Sequence, residues 1–138
     1  MRGISLLVFA ATLASCTTAP PPPTRNVRAQ QQYASLIAGK AARPELSCLP
    51  NYSANDMTVI DGRTLAFQRG TATVYLVHLT PGCELLGGGS YALLSKQYGG
   101  SGLCRGDIQQ VIDTMNRITV GSCTIGAIVP YVRAGSRY

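Results

Sequence analysis

His78 is the only imidazole in this chain of 138 residues. A serine or cysteine hydrolase would have to use it as general base, beside an activated nucleophile and a carboxylate that orients the ring. The nucleophile's usual setting is missing. No G-x-S-x-G elbow occurs, because GGSYA (88–92) ends in alanine and GGSGL (99–103) in leucine. His78 itself lies between Val77 and Leu79 in an apolar run and reads as a half-buried strand residue. The carboxylates Glu45, Asp56, Asp61, Glu84, Asp107 and Asp113 are scattered, whereas a glycosidase sets two of them across one cleft. Asp56 and Asp61 fit turns, and Asp107 fits a turn or a cap. Neither glycine-rich stretch leads into Gly-Lys-Ser/Thr, so neither reads as a phosphate loop. The expectation is no catalytic set, no enzyme activity and no cofactor.

Cysteines carry the clearer signal, beginning with Cys16. Met1 and Arg2 precede the apolar run ISLLVFAATL (4–13). That run is shorter than the about 20 residues a membrane span requires, and it matches an export signal. Leu13-Ala14-Ser15-Cys16 resembles the lipobox of bacterial lipoproteins, in which a dedicated peptidase cuts just before the cysteine. The resemblance implies loss of residues 1–15 and acylation of Cys16. One acyl chain holds a protein marginally and two or more hold it stably, so the membrane is the first expected partner. Thr17 stands where an aspartate would favour the inner membrane. By the sorting rule of Gram-negative lipoproteins, it implies the outer membrane, facing the periplasm.

Residues 16–28 read as the acylated cysteine and a tether. Pro20 to Pro23 favour polyproline II, a stiff form rising about 3.1 Å per residue. The charge supports this division. The chain carries +6, but from Glu45 onward seven cations face six carboxylates, a net +1. A nucleic-acid binder concentrates basic residues on its folded surface, so no nucleic-acid partner is expected. The cations near the tether could instead meet anionic headgroups.

Residues 29–138 are long enough for one small domain. AQQQYASLIAGKAA (29–42) predicts a helix with Tyr33, Leu36 and Ile37 on one face, which Gly39 can end. From residue 45 to 131 the pattern is β. Asp61-Gly62 suits a two-residue hairpin loop ahead of RTLAFQR (63–69). TVYLVHLT (73–80) is apolar on both faces, like a central strand, and Pro81-Gly82 turns the chain. SYALLSKQY (90–98) predicts a further strand. DIQQVIDTM (107–115) is divided: Ile108, Val111, Ile112 and Met115 have helical spacing, and alternation there is poor. Arg117 to Val120 and CTIGAIV (123–129) read as strands again. The predicted fold is mainly β, a small barrel-like or meander sheet with a short N-terminal helix.

Several landmarks together resemble a family of small secreted bacterial proteins whose shared domain has no assigned activity. They are the helix end Tyr33…Ala38-Gly39, Cys48-Leu49, VIDGRTLAF (59–67), VYLVHLTPGCELL (74–86), SGLCRGD (101–107) and CTIGAI (123–128). The four cysteines match in order. The resemblance implies export and a compact, mostly β fold, and it tilts 107–113 towards strand.

Cys48, Cys83, Cys104 and Cys123 form an even set in an exported chain, the mark of a two-disulfide framework. No C-x-x-C pair and no second histidine supports a metal site. Four cysteines allow three connectivities. Cys48–Cys123 with Cys83–Cys104 is the expected choice, joining the first and last strands and stapling the glycine-rich excursion. The functional expectation is a lipid-anchored, non-enzymatic envelope module that binds an envelope protein or peptidoglycan. The alternative is a lipoprotein inhibitor of a foreign hydrolase such as lysozyme, but such inhibitors tend to be acidic.

Overall fold

A computed structural model describes residues 25–50, 52–95 and 102–136. The expected export signal, Cys16 and the proline run lie outside the described residues. Helix α1 spans Val27–Ile37 and is followed by strand β1, Lys40–Ala42. The other strands are β2 (Met57–Asp61), β3 (Thr64–Arg69), β4 (Thr73–Leu79), β5 (Tyr91–Ser95), β6 (Ile108–Asp113) and β7 (Ile118–Arg133). All pairings are antiparallel, in the order β2-β3-β4-β7-β6-β5, with β1 added to β7. The sheet curls into half a barrel, so the mainly β fold with one short helix is as expected.

Helix α1 starts earlier and stops sooner than its composition predicts. Asn26 caps it by accepting a hydrogen bond from the Ala29 amide at 2.8 Å. Gly39, at φ 67°, turns the chain out of the helix. Lys40–Ala42 then extends along Arg133–Tyr131, so the helix predicted over 29–42 gives up its last residues to the sheet. The β region consequently runs past both ends of 45–131.

The β2–β3 hairpin turns one residue later than expected: Asp61 pairs with Thr64, so Gly62 and Arg63 form the two-residue loop, and neither Asp61 nor Gly62 takes a positive φ. Leu65 and Phe67 face the concave core, together with Tyr75, Val77 and Leu79 of β4. Ala66, Val74 and Leu76 face the other way and are covered by α1 through Ala29, Tyr33, Leu36 and Ile37. Strand β4 is therefore buried on both faces, which explains its unbroken apolar sequence.

Segment 108–113 is a strand, as the family resemblance implied. Alternation there was hidden by Gln109, which is fully buried beside Val111 on the inner face and accepts a hydrogen bond from the Ser95 hydroxyl. Ile108 is left outside, half-exposed. The two expected strands after Arg117 are one. Strand β7 runs unbroken through 16 residues, pairing with β6 over 118–124 and with β4 over 125–132. Extra residues bulge it at Val120 and at Gly126–Ala127, which lets so long a strand curl.

The disulfides differ from the expected pairing. Cys48 bonds Cys104, and Cys83 bonds Cys123. Cys48 does not reach the closing strand. It faces Cys104 across a two-residue bridge, flanked by Leu49 N–H to Leu103 C=O and Arg105 N–H to Ser47 C=O, each 2.8 Å. Those bonds make the cysteines a non-hydrogen-bonded pair, the antiparallel site where Cα atoms come closest. Cys83 leaves β4 through Pro81-Gly82 and lands directly on β7. The Gly82 carbonyl lies so near Gly121, and the Ser122 carbonyl so near Gly82, that a Cβ on either glycine would overlap backbone.

With sequence separations of 56 and 40, each link removes about 4 kcal/mol of unfolded-chain entropy by the loop-closure relation. Trypsin sites at Lys40, Arg63, Arg69, Lys96, Arg105, Arg117 and Arg133 leave each of these cysteines on its own peptide. A non-reducing digest should yield linked pairs 48/104 and 83/123. A 48/123 pair would contradict the fold.

Candidate functional site

His78 lies in a cluster of charged and hydroxyl side chains on the α1 side of the sheet. Thr64 of β3 pairs with His78 of β4, and Asp61 of β2 pairs with Thr64. The three form a row across neighbouring strands. Opposite His78, the Gly126–Ala127 bulge brings Gly126 against the His78 carbonyl, where a Cβ would sit a tight 3.0 Å from the oxygen. Arg25 closes the row from above. Its Nε donates to Asp61 Oδ2 at 2.7 Å, its Nη2 donates to Thr64 Oγ1 at 3.0 Å, and its guanidinium stacks 4.1 Å from the centre of the Tyr33 ring.

An acid, a hydroxyl and an imidazole side by side suggest a nucleophilic set, but the hydrogen bonds run elsewhere. Asp61 gives its Oδ2 to Arg25 and its Oδ1 to the Arg63 amide, completing the turn. Thr64 Oγ1 accepts from Arg25. No hydrogen bond among the described residues joins His78 to either. Burial, then Arg25, holds His78 below its ordinary value of 6.5, while Asp61 and Glu45 pull weakly the other way. The imidazole is thus neutral near pH 7 and unwired to a nucleophile. What the row does is hold the first turn of α1 to the sheet, and beside it the Tyr33 hydroxyl and burial raise the Tyr131 phenol.

Glu84, Asp107 and Asp113 are engaged by local turns. Glu84 accepts from the Gly82 amide and lies 3.4 Å from Arg63; those amide bonds lower its pKa. Asp107 accepts from the Cys104 amide at 2.7 Å. Asp113 accepts from the side chain and amide of Asn116 and the amide of Met115, which lower its pKa, in that order. Glu45 meets Arg105 at 3.4 Å. No group of three or more potential metal ligands occurs among the described residues. A cleft of about 20 Å³ beside Phe67 and Tyr75 has room for a water. Another, about 210 Å³ beside Lys40 and Thr73, is below the range of about 300–1,000 Å³ typical of small-molecule sites. His78 lines neither.

Among the predicted residues, the structure places His78 beside Asp61 and separates it from the remaining carboxylates except Glu45. Arg25, Thr64, Tyr33 and Tyr131 have no sequence signature as a group. Arg25 reads as tether, and the distance to Thr64 along the chain hides the pairing.

The single histidine gives a clean test. A neutral buried imidazole stabilises the fold fully above the unfolded value of 6.5, and that contribution falls as pH drops through 6.5 towards the lowered folded value. Denaturant unfolding of the native chain should weaken between pH 7.5 and 5, above the carboxylate range, and His78→Gln should remove the slope in that window. Arg25→Ala should cost about 1–2 kcal/mol through the lost charge-assisted bonds. It should also raise the pKa read from the imidazole proton resonance. An unchanged imidazole titration would contradict the arrangement.

No family model, curated protein or solved structure matches the chain. The four-cysteine resemblance accordingly rests on the residues that carry it.

Proposed function

We propose that the protein is a lipid-anchored module of the bacterial envelope, attached through Cys16 to the periplasmic face of the outer membrane. In this reading it works by binding an envelope partner and not by catalysis. The observation that carries the reading is the order LASC followed by TTAPPPPT (13–24), leading directly to Arg25. A tether transmits a position only if its far end is fixed, and Arg25 is bonded to two strands of the sheet. The commitment of Asp61 and Thr64 to Arg25 supports a structural use of the row in which His78 lies. The two disulfides suit an oxidising compartment.

Expression in a bacterial host with radiolabelled palmitate tests the anchor. The native chain should be labelled and float with membranes, and globomycin should cause the uncleaved precursor to accumulate. Cys16→Ser should abolish the label and release the protein to the soluble fraction. A native chain without label would refute the reading. Crosslinking in intact envelopes would then identify the partner.

A further inference from the structure

Among the described residues, four of the six exposed large apolar side chains gather at one end of the domain. Val27 is 75% exposed, Leu85 48%, Met115 79% and Ile118 55%. Strand directions fix the geometry. β2 ends, β3 begins and β4 ends at this pole, and the β6–β7 hairpin projects beyond it, because β7 pairs with β6 over 118–124, before it reaches β4 at Ile125. The loops there touch in series. Gly62 of the β2–β3 turn packs on the Glu84 backbone, and the Ser90 carbonyl accepts from the Thr114 amide at 2.9 Å in the β6–β7 turn. Arg25 is bonded to Asp61 at the same turn, so residues 1–24 depart from this pole as well.

Scattered exposed apolar residues are ordinary, but four at one pole, at the start of α1, in the loop after β4 and at the β6–β7 turn with the first residue of β7, are not. Arg28 and Arg117 add charge there, with no ion pair among the described residues. The nearby acids are engaged: Asp61 by Arg25, Glu84 by Arg63 and Asp113 by Asn116.

We infer that this pole is a membrane-contacting surface, with Val27, Leu85, Met115 and Ile118 entering the lipid interface and Arg28 and Arg117 meeting anionic headgroups. The inference rests on the lipid anchor proposed above and deepens it, since it sets which face of the domain the bilayer covers. The folded domain lies against the lipid by its loop pole, and the opposite end, where Ala54–Asp56 precedes β2, points away. Apolar tips supply burial, and the arginines add attraction to anionic lipid that falls with salt.

The chain has no tryptophan, so Met115→Trp and Ala54→Trp each introduce a single reporter at an exposed position at opposite ends. The full acylated protein is reconstituted into phosphatidylethanolamine–phosphatidylglycerol vesicles whose acyl chains are brominated. The Met115→Trp emission should shift to the blue and lose most of its intensity, while the Ala54→Trp emission keeps both. Equal emission from the two, in protein shown by flotation to be vesicle-bound, would overturn the surface and leave the anchor standing. If the purified chain carries no lipid, the anchor falls, and the same reporters are mixed with excess vesicles. Quenching of Met115→Trp alone then supports the surface, and its absence overturns it.

Discussion

Strand β7 has to serve two half-sheets, and the structure depends on how that handover is held. Up to Thr124 its partner is β6, and from Ile125 it is β4. A twisted strand bonded to different neighbours along its length has nothing of its own to fix the angle between them. Three contacts close on the changeover. Thr80 and Thr124 exchange backbone and hydroxyl hydrogen bonds, Gly82 and Gly121 bring two backbones together, and Cys83 bonds Cys123. The last is covalent and sits beside Leu79, Leu86, Val111 and Ile125 in the concave core. It converts a turn that merely passes the strand into one that is pinned to it.

The rest of the architecture follows from that pin. With the arm β5–β6–β7 fixed, the loop from Cys83 to Ser90 is drawn across the end of β2 and β3, where Gly62 makes room for the Glu84 backbone. The same pole receives Arg25. The other disulfide, Cys48–Cys104, works along the opposite side of β7, where Leu46 also bonds Ile128. Helix α1 lies over β3 and β4, away from the arm, and so is stabilised by side-chain burial and the Arg25 row and not by either disulfide.

What the sequence revealed follows a physical pattern. The turn at Pro81-Gly82 was legible because its backbone demand is local, whereas the β2–β3 turn was placed one residue early, since pairing of Asp61 with Thr64 sets the loop at Gly62-Arg63. The double-sided apolarity of β4 was legible because both its faces are buried. Residues 108–115 were ambiguous because burying Gln109 breaks the alternation while Ile108, Val111, Ile112 and Met115 imitate a helix. Only the family resemblance favoured a strand there. Cysteine parity was readable; the pairing was not, since it depends on which strands become neighbours. The expected Cys48–Cys123 link treated the first and last segments as edges, but β7 lies in the middle of the sheet. Arg25 was invisible as a site residue for a similar reason: its partners are set by the sheet.

Hydrogen exchange on Cys83→Ala/Cys123→Ala, a double variant that leaves no free thiol at the handover, addresses the central claim. Amides of β5, β6 and residues 118–124 should lose protection, while β3, β4 and residues 128–132 keep theirs. Protection lost evenly over the sheet, or retained throughout, would contradict the idea that this contact holds the two halves together.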